Sequence, residues 1–333
     1  MITRIVCAIA GSLALLALMA TSGAGAQGLG RASANGYPAK PVRVIVPLAP
    51  GGGSDIVARI VASELLNHWG QSVVVDNRPG AGSTVGTAIA AKAPADGYTL
   101  LVSSSSIAIS PALYKNLDFD IRRDFSGITL ITSQPSILAV HASVPASTVK
   151  ELVALAKAQP GKLTYASAGS GSATHLGAAL FKYSTGIDLV HVPYKSAGQA
   201  TAALLSGESQ ILLTNMASVL PHMKSGRIKA LGISASKRSA LAPTLPTVAE
   251  SGVAGFEYAT WYAMLAPAGT PKTIVNRIQA DLAAIIRTSQ TRDRFVSLGM
   301  EVYGTTPAEM DTYLDSEIAK WSKVIRAAGV RAE

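Results

Sequence analysis

The sequence predicts an α/β protein of two domains, and three observations predict it. Short β-branched runs alternate with helix-length segments from Pro41 onward. Most Gly/Ser-rich loops follow a strand and precede a helix, the pattern of parallel strands joined by helical crossovers. About 307 residues remain after a leader is removed, and nearly half of the chain is apolar, enough for two cores of ordinary size.

In chain order, residues 42–46 are expected as a buried strand, and 55–69 as an amphipathic helix with Ile56, Ile60 and Val61 on one face. A strand over 73–75, a helix over 85–92 and a strand over 99–102 follow. The middle of the chain reads as strand 137–140, helix 148–159, strand 163–166, helix 175–183 and strand 189–192. Helix 199–205 and strands 211–214 and 230–234 complete it. The last seventy residues are mainly helical, over 271–288, 292–298 and 307–328. Largely parallel sheets covered on both faces are expected from this alternation.

The start of the chain reads as an address. Met1-Ile-Thr-Arg4 is basic, an apolar run extends to Met19, and Ala24-Gly25-Ala26 fits the small-x-small rule of signal peptidase. The run is shorter than the ~20 residues needed to span a bilayer, so residues 1–26 are expected to be a cleaved signal peptide and the location the periplasm. Cys7 is not at the cleavage point, which argues against a lipoprotein. Residues 27–36, small and polar, read as a disordered start of the mature chain.

Losing Arg4 and the single cysteine leaves 28 basic against 20 acidic residues, a charge of +8 with no possible disulfide. The basic residues are scattered and aromatic residues few, so no nucleic-acid partner is expected. Net positive charge in the periplasm instead suits small anionic solutes.

Two loops carry the chemistry. Pro47-Leu-Ala-Pro-Gly-Gly-Gly-Ser-Asp55 and Ser167-Ala-Gly-Ser-Gly-Ser-Ala-Thr-His175 each run from a strand into a helix. Glycines let backbone N–H groups approach a ligand, and hydroxyls gather at the positive end of a helix dipole. Hydrogen bonds to a charged group contribute ~1.5–3 kcal/mol each, and micromolar binding needs about 8 kcal/mol. Four to six donors shared by the two loops would hold a carboxylate, so the loops are expected to face one another across a cleft. Tight strand–helix turns would explain either loop alone.

The candidate binding residues are therefore Leu48, Gly51, Gly52, Gly53, Ser54 and Asp55 from the first loop. The second contributes Ser167, Ala168, Gly169, Ser170, Gly171, Ser172, Thr174 and His175. Asp55 is expected to cap its own helix backbone rather than meet a ligand ammonium. Ser104 and Ser105, from a run of four serines after a strand, join the set with Tyr194 and Thr214. Asn77-Arg-Pro-Gly-Ala-Gly-Ser-Thr-Val-Gly86 reads as a rim or a packing turn, Trp261 and Tyr262 as a hinge, a ligand wall or core, and Lys195 as a steering charge or a solvated lysine.

Neither loop is a P-loop or a dinucleotide fingerprint. The histidines show no metal-ligand spacing, no Gly-x-Ser-x-Gly elbow is present, and Ser147-Thr-Val-Lys150 is explained by a helix cap. His175 beside a serine-rich loop keeps a periplasmic hydrolase or transferase as the alternative. A sensory module reporting to a membrane kinase is compatible with the same binding site.

Tyr37-Pro-Ala-Lys-Pro-Val-Arg43, Val46-Pro-Leu-Ala-Pro-Gly-Gly52, Asn77-Arg-Pro-Gly-Ala-Gly82 and Ala95-Asp-Gly-Tyr98 occur in order. Tyr165-Ala-Ser-Ala-Gly169, His191-Val-Pro-Tyr-Lys195, Leu245-Pro-Thr-Val-Ala-Glu250 and Ala266-Pro-Ala-Gly-Thr-Pro271 follow. Over roughly 37–330 the chain resembles the Bug family of periplasmic receptors, the solute-binding components of tripartite tricarboxylate transporters. The resemblance implies a periplasmic-binding-protein-like fold of type II, a Venus flytrap of two α/β domains around a ligand cleft. Residues 37–137 with 262–333 would form one domain and 138–261 the other. It also implies a small carboxylate (a dicarboxylate or tricarboxylate, an acidic amino acid, or an aromatic acid such as nicotinate) gripped between the two loops. The partners implied are one large and one small integral membrane subunit. No cofactor, no metal and no catalysis are expected, and the receptor is expected as a monomer. Leu48 stands where the family has an aromatic residue, Ser196 replaces a glycine, and Glu208-Ser-Gln210 departs from Gln-Val-Asp; these leave the ligand's identity open.

Overall fold

The computed structural model describes residues 36–330 apart from 224, 240 and 241, so the expectations for the leader and for 27–35 lie outside the described residues. Strands β1 (Val42–Val46), β2 (Val73–Asn77) and β3 (Thr99–Ser104) are parallel in the order β2-β1-β3. They are joined by α1 (Gly53–Trp69) and α2 (Thr84–Ala91). Helix α1 buries Val57, Ile60, Val61 and Leu65, spaced as one helical face against the sheet.

After β3 come α3 (Ser106–Leu113) and the single turn α4 (Ile121–Asp124), then β4 (Phe125–His141), 17 residues long. A second α/β series follows: α5 (Val149–Ala158), β5 (Thr164–Ser167), α6 (Ala173–Thr185) and β6 (Val190–Pro193). It continues through α7 (Ala197–Ser206), β7 (Ile211–Asn215), α8 (Met216–Met223) and β8 (Ile228–Ile233). The chain returns through β9 (Ala259–Pro267) to α9 (Lys272–Ile286), α10 (Ser289–Ser297), the short β10 (Glu301–Val302) and α11 (Pro307–Ala328).

Strand β4 is common to both halves. Residues 125–135 pair with β9, whereas 136–140 pair with β7 and 137–141 with β8. The sheets are therefore mixed rather than largely parallel. The wings β2-β1-β3 and β7-β5-β6 are parallel, but every pairing of β4 and β9 is antiparallel. The cause is topological: β4 leaves the first half and β9 returns to it, so two adjacent connections must run in opposite senses.

Helix ends are fixed locally. Thr148 caps α5 by accepting the Glu151 amide, while Ser147 N–H donates to Glu151 Oε2 at 2.7 Å, which accounts for the Ser-x-x-Lys match. Ser196 caps α7, and Gln210 Oε1 takes the Thr164 amide at 2.7 Å, tying β7 to β5; both departures from the family pattern have structural roles here. A capping box of Thr306 and Glu309, with Pro307 in the first turn, starts α11.

Helix α11 packs against α3, β4 and α6 and so touches both halves. Its buried Glu317 accepts the Trp261 indole N–H at 2.9 Å and the Trp321 indole N–H at 3.2 Å. Trp261, fully buried on β9, is core.

Candidate functional site

A cavity of about 510 Å³ lies where the halves meet. The first half supplies Leu48, Gly82, Ser104, Ser105, Ser106, Ile109, Ser110, Leu113 and Tyr114. The second supplies Ser170, Gly171, Ser172, Ala173 and Leu176, and the returning segment adds Tyr258 and Thr260. The two loops singled out in the sequence thus both reach this space, the first through Leu48.

In the second loop most amides are committed to shaping the loop itself. Ala168 N–H donates to Thr174 Oγ1 (2.8 Å), Gly169 N–H to Ser167 Oγ (3.1 Å) and Gly171 N–H to His175 Nδ1 (2.9 Å). Ser172 donates its amide to Gly169 O, and its hydroxyl caps α6 by accepting the His175 amide at 3.3 Å. Positive φ at Gly169 (107°) and Gly171 (75°) permits this tight path. Among the described residues, the amides of Ser170, Ala173 and Thr174 are left without an acceptor, at the positive end of a 13-residue helix.

The first loop is built differently. Gly52 stands at the N-cap of α1 with no side-chain cap, leaving the amides of Gly52, Gly53 and Ser54 without an acceptor among the described residues. Asp55 accepts the Gly51 amide at 2.9 Å and Arg59 Nε at 2.9 Å, so its carboxylate clamps the loop ahead of the helix. Burial alone would raise its pKa; the hydrogen bonds from Arg59 and Gly51 outweigh that and hold the carboxyl below its usual range. Ser54 Oγ and Asp55 Oδ1 are buried without partners. Tyr262 lies across this turn: a Cβ on Gly53 would come 2.7 Å from its Cζ, so only glycine fits. Gly51 and Gly52 are exposed, and Gly51, Gly52, Gly53 and Ser54 lie outside the lining of this cavity.

The four-serine run divides. Ser103 is fully buried, whereas Ser104, Ser105 and Ser106 line the cavity at the start of α3. The Asn77–Gly86 segment serves both of its expected uses: Gly82 reaches the cavity, and Gly86 lets the chain pass against Pro47 and the Arg78 carbonyl. Thr214 Oγ1 is buried without a partner on β7, outside the cavity. Tyr194 packs on the core of the second half, where burial and then the Glu208 carboxylate raise its phenol. Lys195 is exposed and not part of the lining.

Behind the second loop stand His175 and His191, their rings stacked at 4.1 Å, with Tyr165 stacked on His191 at 4.9 Å. Burial, then His191, then Lys182 push His175 down to about 4, and burial, then Lys182 lower His191, so both rings are neutral at pH 7. His191 Nε2 meets Ser167 Oγ at 2.6 Å, but Ser167 is fully buried. Among the described residues no carboxylate hydrogen-bonds either imidazole. No cluster with metal-ligand composition occurs among the described residues.

The largest group of lining residues that sequence reading missed is on α3. Ser106, Ile109, Ser110 and Leu113 recur at three- and four-residue spacing after a serine-rich start, a helix signal obscured by the β-branched isoleucines and Pro111. Tyr258 and Thr260 carried no local motif.

The fold and this inter-domain cavity define a two-domain α/β solute-binding protein of the periplasmic-binding type. The chain belongs to the tripartite tricarboxylate transporter receptor family, whose description, "Tripartite tricarboxylate transporter family receptor", matches residues 57–330. It is 36% identical over 301 residues to protein BugT of Bordetella pertussis, covering 90% of this chain and 92% of that one. A Rhodopseudomonas palustris protein solved with adipate is similar at 34% identity and a TM-score of 0.72, covering 88% of this chain and 99% of its own. MatC from the same organism, solved with bound malate, is 30% identical with a TM-score of 0.69, covering 87% and 100%. No described helix is long and apolar enough to cross a membrane.

Proposed function

We propose that this chain is a non-enzymatic periplasmic receptor that captures a small carboxylate for a tripartite tricarboxylate transporter. It would hand the solute to one large and one small membrane subunit, after export by the cleavable leader of residues 1–26. The observation that carries the reading is the pair of strand–helix loops whose uncommitted amides (Gly52, Gly53 and Ser54; Ser170, Ala173 and Thr174) sit at the N-termini of α1 and α6. Such donors suit an anion, and relatives solved with adipate and malate support a carboxylate.

Residues 37–137 with 262–333 would act as one lobe and 138–261 as the other, closing on the ligand. The change of β4 partners between Pro135 and Ser136 supports a crossover close to that boundary, and β9 pairing from Ala259 supports the second.

A thermal-shift screen of refolded, ligand-stripped protein against small carboxylates, each paired with its amide, tests the proposal. A ligand at 100 times its Kd should add about 2.7 kcal/mol. Stabilisation that disappears on amidation is expected; equal stabilisation by neutral amides would refute anion capture.

A further inference from the structure

Tyr258 OH donates to the Ala173 carbonyl at 2.6 Å, in the first turn of α6. That carbonyl and the Thr174 N–H belong to one planar peptide unit, so the bond fixes the direction in which the N–H points. It also draws charge from the nitrogen and strengthens whatever bond the N–H makes, by about 10–30%. The Thr174 N–H is one of the donors of the second loop left without an acceptor among the described residues. We propose that Tyr258 is a positioning residue of the anion site, aiming and polarising the Thr174 amide from outside the loop, an inference that rests on the carboxylate reading above. A carbonyl in the first turn of a helix is engaged by the amide four residues on, so the hydroxyl is not needed to satisfy it. Tyr258 is buried, and burial raises its pKa, so the phenol keeps its proton and remains a donor.

The ring is held from several sides. A Cβ at Gly177 would stand 2.6 Å from Tyr258 Cε1, so glycine there lets the ring approach α6. Its edge meets the Trp321 ring at 5.8 Å and 81°, and Trp321 is fixed in turn by Glu317. The backbone is fixed as well: Tyr258 N–H donates to Ser234 O at 2.8 Å, and Ser234 Oγ donates to Tyr258 O. Ser234, fully buried, accepts the Ser136 N–H on Oγ at 2.8 Å and donates its own amide to Ser136 O at 2.8 Å. Ser136 stands where β4 changes partners, so one serine ties both passages of the chain between the halves to the residue that holds the loop peptide. The position of the Thr174 amide is thereby referred to the junction of the halves rather than to its own loop alone.

Tyr258→Phe removes the hydroxyl and keeps the ring. Adipate, malate, glutamate and nicotinate, each beside its amide, are titrated calorimetrically into the refolded, ligand-stripped full chain and into the variant. The carboxylate that binds the parent most tightly should bind the variant about two- to fivefold more weakly, the upper end of the polarising effect on one bond to a charged group. The Tm should fall by only about 2 °C. In the ligand-free proteins, the Thr174 amide proton should move upfield in the variant, because its own peptide carbonyl has lost a donor. Gly177→Ala leaves the hydroxyl in place but presses a methyl group against Cε1; it should produce both changes and is the check if Tyr258→Phe folds poorly. A fall in affinity of less than about twofold, or a Thr174 amide that does not move, makes Tyr258 a packing residue and overturns this inference while carboxylate capture stands. A parent that binds none of these carboxylates, or binds an amide as tightly as its acid, overturns carboxylate capture and this inference with it.

Discussion

Acid should destabilise the protein through His175. Its Nδ1 accepts the Gly171 amide at 2.9 Å, which only the neutral ring can do, and its pKa is pushed down to about 4 by burial, His191 and Lys182. In the unfolded chain the same ring takes up a proton near its ordinary value of about 6.5. The unfolded state therefore binds more protons over this interval, and stability falls as pH drops from about 6.5 toward 4. For those two values, linkage gives a loss of about 1.8 kcal/mol between pH 7 and pH 5. Residual access of water to the ring reduces this to about 1 kcal/mol. At ~2.1 cal/mol/K of unfolding entropy per residue, a chain of this length loses about 1.6 °C for each kcal/mol. Scanning calorimetry at both pH values, on the parent and on His175→Asn, isolates the effect, because an asparagine amide oxygen can accept from Gly171 without titrating. The fall in Tm from pH 7 to pH 5 should be larger by about 2 °C in the parent. Equal falls in the two proteins, or a larger fall in the variant, would refute the reasoning.

Two further outcomes are expected. Glu317→Leu removes the acceptor of two buried indoles, each costing ~1–3 kcal/mol when unmatched, so Tm should drop by about 3–10 °C. Glu317→Gln, which still accepts a bond, should lose less than half of that, and a Glu317→Leu melt within about 1 °C of the parent would remove the role assigned to the carboxylate. Asp55→Ala releases Gly51 and Arg59 from one shared oxygen, so carboxylate affinity measured by calorimetry should fall about tenfold while the fold survives; unchanged affinity would separate this loop from binding.

The regular elements were legible where one signal was strong. The range 307–328 is legible to the residue, and a capping box, a proline and a terminal glycine all mark the same helix. Strand β4 is legible only over 137–140, since serines and threonines interrupt the apolar pattern of 125–136 and Pro135 stands at the junction. Strand β9 was missed for a related reason: its aromatic and small residues pair with β3 and β4, which local sequence does not reveal. At the site, the glycines and serines announced the second loop, but not which of its amides remain available. That depends on Thr174 and His175 reaching back to Ala168 and Gly171, contacts fixed only once α6 begins.

If the loop amides hold the anion as proposed, attraction and grip are separate, and salt should distinguish them. The chain carries a formal net charge of +9, yet none of the described residues that line the cavity is charged. Surface charge acts on a solute anion while it is still in water, over about 8 Å at physiological ionic strength, and so affects arrival. On the proposed reading, holding the carboxylate would fall to backbone amides and helix ends, which are fixed by the fold, carry no counter-ion and require little reorganisation when the solute leaves. A lysine or arginine in the same place would have to give up its hydration on every capture, a cost repaid only by tight pairing that would slow release. Raising ionic strength in stopped-flow measurements should therefore lower the association rate several-fold and leave the dissociation rate nearly unchanged. A dissociation rate that climbs with salt would mean that a formal charge, not the loop amides, holds the bound anion.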